Sequence, residues 1–174
     1  TVPLESWTLP LWEQARSAGK LTKAHAGEFC GPGFIRQVVE ELGVNRIEHG
    51  TRAVEEDDLV QELKDRDVAL DLCPISNVKL GVVPSMEAHP FRKFFDAGLK
   101  VTLNTDDPIS FGNTLEQEYA AMVECHQFTI PELGEVMKHG FHIADLSPEQ
   151  IEAQCGKVDA AVAEVQKNRN GDGP

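Results

Sequence analysis

No apolar run in this 174-residue chain approaches the roughly 18 residues that cross a bilayer as a helix. Basic residues are few: 16 Lys and Arg against 29 Asp and Glu leave a formal charge of −13. They are scattered among acids, so the sequence offers no clustered cationic surface for nucleic acid. The four cysteines, Cys30, Cys73, Cys125 and Cys155, stand far apart with no C-x-x-C pair. That spacing argues against a cysteine zinc knuckle and makes the reduced thiols of a cytoplasmic protein the expectation. No signal peptide, low-complexity segment or second domain is visible.

What is present is a regular alternation of short β-type runs with helical patterns. Strands are expected at Leu21–Ala24, Arg46–Glu48, Val68–Leu72 and Val101–Leu103. Pro32 opens a helix that carries Phe34, Ile35, Val38, Val39 and Leu42 at helical spacing, and Gly43 closes it. Further helices are expected from about Glu56 to Asp65, Pro90 to Ala97, Leu115 to His126, Ile130 to His142 and Pro148 to Lys167, with Thr114 and Ser147 as N-caps. The two-proline stretch from Cys73 to Ser85 reads as a loop over the strand ends. Strands alternating with helices imply a parallel α/β sheet.

Each strand-like run ends on polar residues. The first runs into His25 and Glu28, the second into His49, the third into Cys73, Ser76 and Asn77, and the fourth into Asp106 and Asp107. Polar groups at the C-terminal ends of successive parallel strands are the layout of a (β/α) barrel active site. Histidine and carboxylate together suit metal-assisted hydrolysis. Each residue also has a plain reading: His25 as a satisfied core histidine, Glu28 as an acid at a helix start, Asp107 as a turn residue before Pro108. Cys73 reads as packing at a strand end. Ser76 and Asn77 are candidates for a pocket floor, and Phe111, Gly112 and Thr114 for its wall. The helix bearing Glu116, Glu118 and Tyr119 reads as a barrel helix with an exposed acidic face. His89 and His126 show no register with the motifs, and His139 and His142 read as a solvated helix face.

HAGE, RIEHG, CPISN and NTDDP, in this order and spacing over residues 14 to 143, resemble the adenosine/adenine deaminase family of the metal-dependent amidohydrolases. The resemblance implies the C-terminal half of a TIM-type (β/α)8 barrel, with about four βα units plus C-terminal helices. A complete barrel takes about 250 residues. Residues 1–167 would form a partial barrel domain and residues 168–174 a polar tail. It implies Zn2+ on His25 and Asp106, with His49 acting on a zinc-activated water and Glu28 protonating the ring. Asp107 and Gly27 would meet the substrate. The expected reaction is hydrolytic deamination of a small aminopurine, adenosine before adenine, with release of ammonia.

The family's first metal motif, a His-x-His, does not occur in the sequence, so this polypeptide is expected to be inactive alone. Half a barrel should also expose the inward faces of Val68–Leu72 and Val101–Leu103, making the chain marginally stable and prone to self-association. Two other readings compete. One is a different metal-dependent amidohydrolase acting on a cyclic amide, which would often use a strand-end lysine that is not seen. The other is a non-catalytic half-barrel interaction module.

Overall fold

The computed structural model describes residues 4–169. Four strands, β1 (Lys23–Ala26), β2 (Arg46–His49), β3 (Ala69–Leu72) and β4 (Val101–Leu103), form one parallel sheet in sequential order. This is half the strand complement of an eight-stranded barrel. Helix α1 (Thr8–Ser17) precedes the sheet. The crossovers run through α2 (Pro32–Gln37), α3 (Asp57–Asp65), and the pair α4 (Pro74–Lys79) and α5 (Phe91–Asp96). After β4 come α6 (Pro108–Phe111), α7 (Leu115–His126), α8 (Ile130–His142) and α9 (Pro148–Arg169). None of the described helices is long and apolar enough to cross a membrane. The expected tail boundary at residue 168 falls inside α9, and residues 170–174 lie outside the described residues.

The period-2 alternation of the strands separates two chemistries. Ile47, Leu70, Leu72, Val101 and Leu103 meet Ile35, Leu59, Leu63, Phe91, Phe94 and Met122 from the helices in the core. The opposite face carries Lys23, Arg46, Glu48, Asp71 and Thr102. Lys23 pairs with Glu48, and Arg46 Nε lies 2.7 Å from Asp71 Oδ2. Thr102 Oγ1 donates to Asp71 Oδ1 at 2.5 Å. The expectation of exposed apolar strands is therefore corrected: every residue of β3 and β4 is buried, and the inner face is held by ionic and hydroxyl contacts.

The first strand lies two residues later than expected. Leu21 is exposed, and the register Lys23↔Arg46 places His25 inside β1 rather than beyond it. The segment after Cys73 is a helix, not a loop. Pro74 pre-sets its first turn. Ser76 and Asn77 would normally compete with their own backbone, but both side chains are engaged by residues distant in sequence, so the helix survives. In α6, Asp107 caps Ile109 and Ser110 N–H, Pro108 stands at the first position, and Gly112 ends the helix in the left-handed region. Both Thr114 and the unexpected Thr129 form full capping boxes. Ser147 Oγ accepts from Gln150 N–H at 3.3 Å, in line with its expected role as a cap.

Two glycines beneath the strand ends are fixed by geometry. Gly27 and Gly50 have φ of +73° and +69°, and a Cβ on Gly27 would lie 3.0 Å from Gly50 Cα. A Cβ on Gly50 would fall 2.6 Å from Leu70 Cδ2. Gly50→Ala is expected to destabilise the fold by about 2–4 kcal/mol, combining left-handed strain with overpacking. Urea denaturation measures this. A loss below about 0.5 kcal/mol would show that the turn relaxes freely.

Candidate functional site

A cleft of about 470 Å³ opens at the C-terminal ends of the strands, within the size range of small-molecule sites. His25, His49, Cys73 and Asp106 line it together, above the ionic face of the sheet. The rings of His25 and His49 are 5.3 Å apart. Donor atoms of His49, Cys73 and Asp106 lie within 4.8 Å of one another. Nitrogen, oxygen and sulfur donors gathered in this way match the ligand chemistry of zinc. Cys73, read from sequence as packing alone, is thus both buried packing and a neighbour of the candidate ligands. Burial raises its thiol pKa strongly, assisted by Asp106 and Glu118.

The backbone bends to bring two of these residues in. His49 has φ +68° and Asp106 φ +60°, left-handed values that cost a non-glycine residue about 1–2 kcal/mol. By simple alternation His49 would face the helices with its register partner Ala26. The turn into left-handed backbone re-aims it into the cleft. Its imidazole is nearly fully buried, and burial lowers its pKa against the opposing pull of Glu28 and Asp106. Glu28, its side chain 13% exposed, places Oε2 3.6 Å from His49 Nε2. That distance is too long for a hydrogen bond but leaves the carboxyl at the cleft's edge.

The loops are tied from behind. Ser76 Oγ donates to Asp106 Oδ2 at 2.6 Å. Asn77 Nδ2 lies 3.2 Å from His49 Nδ1, and Asn77 Oδ1 accepts from Thr51 Oγ1 at 3.0 Å. His89 Nε2 lies 3.1 Å from the same Asn77 oxygen. His89, which no sequence register connected to the motifs, is therefore part of the site's support.

Glu118 corrects the expected acidic helix face. It is fully buried, accepting from Ile75 N–H at 3.2 Å and from Asn113 Nδ2 at 2.7 Å. Asn113 also donates to Thr105 O at 3.0 Å. One carboxyl group thus joins the segment bearing Ser76 and Asn77 to the one bearing Asp106. Burial pushes its pKa up to about 7, resisted by the Ile75 and Asn113 hydrogen bonds and by Lys79. Helical periodicity put Glu118 on the solvent side. Only the fold of α4 against α7 shows what covers it.

The remaining expected residues fall elsewhere. Asp107 does not point both oxygens into the cleft: Oδ1 accepts from Ile109 and Ser110 N–H and Oδ2 from Ser110 Oγ. Those bonds, led by Ser110, hold its pKa below the ordinary carboxylate range. Gly27 is buried at the β1 turn, where its carbonyl accepts from Arg52 N–H at 2.8 Å. His139 is not on a solvated face. Its Nδ1 lies 3.0 Å from Val101 O, and burial lowers its pKa. His142 instead approaches Cys155, with Nε2 3.9 Å from Sγ.

Comparison with known proteins follows the same lines. The family model described as adenosine deaminase matches residues 6–161. An adenine deaminase of Marinomonas sp. (strain MWYL1) is 36% identical over 152 residues, covering 83% of this chain and 45% of that protein. An adenine deaminase of Hahella chejuensis is 38% identical over 149 residues, covering 86% and 45%. The crystal structure of an adenine deaminase from Arthrobacter aurescens superposes with a TM-score of 0.85 at 32% identity, over 89% of this chain and 47% of that one. A zinc-bound amidohydrolase from Burkholderia ambifaria superposes with a TM-score of 0.77 at 26% identity, over 90% and 46%. The chain spans about half the length of the curated relatives it matches.

Proposed function

The chain belongs to the adenosine deaminase family, and from that premise we propose that it supplies the strand-end half of a zinc-dependent site that hydrolytically deaminates a 6-aminopurine. The observation that carries the reading is the convergence of His25, His49, Asp106 and Cys73 on one cleft above a parallel sheet. Adenine is preferred to adenosine as the substrate, because the Marinomonas, Hahella and Arthrobacter relatives are all named adenine deaminases. This reverses the order expected from sequence.

His25 and Asp106 are the residues assigned to hold the metal, with Ser76 fixing the Asp106 carboxylate. Zinc, when bound, supplies a water acidified to a pKa of about 7. His49 orients that water from its buried position beside His25. Glu28 delivers a proton to purine N1, which makes C6 electrophilic. The water oxygen adds at C6; one of its protons passes to the amino group, which leaves as ammonia, and the other returns to Glu28, leaving the 6-oxo purine. Asp107 and Gly27 are assigned to the purine side of the site, although Asp107 must share its carboxylate with the start of α6. Two assigned metal ligands fall short of the three protein ligands usual in catalytic zinc sites. We therefore place turnover in a barrel that supplies the others.

The test has two parts. Calorimetric zinc titration of the chain should show affinity weakened at least about tenfold by His25→Ala and by Asp106→Ala. Ammonia release from adenine and from adenosine should then be measured after joining the chain to the remaining units of the Marinomonas relative. Unchanged zinc affinity in both variants would remove the metal assignment. A folded, zinc-loaded barrel that releases no ammonia from either purine would remove the deaminase reading.

A further inference from the structure

We propose that His89 is a positioning residue: through Asn77 it sets which ring nitrogen of His49 carries the proton, so that neutral His49 presents Nε2–H to the cleft. The relay starts from a group with no choice. The backbone N–H of Phe91 can only donate, and it lies 3.2 Å from His89 Nδ1. His89 Nδ1 must therefore accept, and the proton of the neutral ring sits on Nε2. That Nε2 is 3.1 Å from an atom of the Asn77 amide, which must then be the oxygen.

The amide orientation is fixed by this contact, and the Thr51 hydroxyl adds a second donor to the same oxygen at 3.0 Å. The other end of the amide is consequently NH2. It lies 3.2 Å from His49 Nδ1, which can only accept from it. The remaining proton of neutral His49 is on Nε2, the nitrogen that stands 3.6 Å from Glu28. Four side chains, Thr51, Asn77, His89 and His49, form this relay, each at most 3% exposed, so bulk solvent has little access to the bonds between them. Burial pushes the pKa of His89 down to about 3, which keeps its ring neutral at ordinary pH.

The alternative amide orientation would aim NH2 at His89 Nε2–H and leave two donors facing each other. It would also ask His49 to carry its proton on Nδ1. One backbone N–H, three contacts away from the cleft's histidine, thus decides a proton position that sequence spacing does not reveal. Its meaning for turnover rests on the deaminase reading: His49 meets the reacting water as a donor that orients it.

The experiment is long-range 1H–15N correlation of the imidazoles in the 15N-labelled chain, recorded where the rings are neutral and without metal or purine. His49 and His89 are both expected as Nε2–H tautomers. Asn77→Asp replaces the amide donor with an acceptor of nearly the same shape, and His49 should move its proton to Nδ1, inverting a preference of about tenfold. His89→Gln keeps a donor for Asn77 and should leave His49 unchanged. His89→Leu releases the amide and should give a mixture of tautomers. If His89→Leu does not fold, the spectra of Asn77→Asp and His89→Gln decide. His49 as Nδ1–H in the unsubstituted chain, or His49 still Nε2–H in folded Asn77→Asp, would overturn the relay. Because the spectra need no substrate, a chain whose completed barrel proves inactive would lose the deaminase reading while the relay stands.

Discussion

Glu28→Gln is expected to lower purine turnover by about 10²–10⁴-fold, the usual contribution of a positioned proton donor. Zinc content and purine affinity should change little. Glutamine keeps the length and shape of the side chain and can still donate a hydrogen bond, but it cannot transfer a proton to ring N1. The position supports this role. Glu28 follows β1 at the cleft's edge, mostly shielded from water and beside the buried His49. The same turn is locked by Gly27, so the carboxyl is held by a segment with little freedom to move. The measurement is steady-state ammonia release by the completed, zinc-loaded barrel, with metal content read separately. A kcat loss below tenfold would assign ring protonation to another group. A rise in KM at unchanged kcat would make Glu28 a binding residue.

Glu118→Gln is expected to gain stability relative to the unsubstituted chain as pH rises, by up to about 3 kcal/mol between pH 4.5 and pH 8. The sign follows from the direction of the shift. In the folded chain burial raises the Glu118 carboxyl pKa from 4.5 to about 7. Below pH 4.5 the carboxyl is protonated in both folded and unfolded chains, and its contribution is fully present. As pH climbs through about 7 the unfolded chain has already released its proton, and the folded chain must ionise a buried group or hold the proton against solution. Stability is lost through that window, and glutamine, which does not titrate, escapes the loss. Glutamine also gives up one acceptor facing Ile75 N–H and Asn113, so a constant penalty of about 1 kcal/mol at every pH is superimposed. Urea denaturation of both proteins from pH 4.5 to 8 separates the two effects, because only the titration changes with pH. A difference that stays flat across the window would mean that Glu118 ionises as an ordinary surface carboxylate.

His89 works in the opposite direction. Its folded pKa of about 3 lies below the ordinary imidazole value of 6.5, so the unfolded chain takes a proton first and stability falls as pH drops from about 6.5 towards 3. The two buried groups therefore offset one another between about pH 4.5 and 6.5. In Glu118→Gln this compensation is gone and the acid sensitivity due to His89 stands exposed.

The sequence by itself determined the parallel α/β organisation, the limits of most helices and the strand-end residues of the candidate site. Those features depend on local rules: apolar periodicity, proline at a first turn, glycine in left-handed backbone, and threonine caps. β4 and α8 lie where periodicity put them, and α7 where periodicity and its cap put it. The tertiary structure decided what local rules cannot express. α4 forms from a Pro-Ile-Ser-Asn segment because Asp106 and His49, far away in sequence, occupy its polar side chains. Glu118 is buried because Ile75 of α4 and Asn113 close over it, and His89 reaches the site only through the path from α4 to α5. Each of these depends on a hydrogen-bond partner many residues away. Spacing along the chain carries no record of such a partner until the chain has folded.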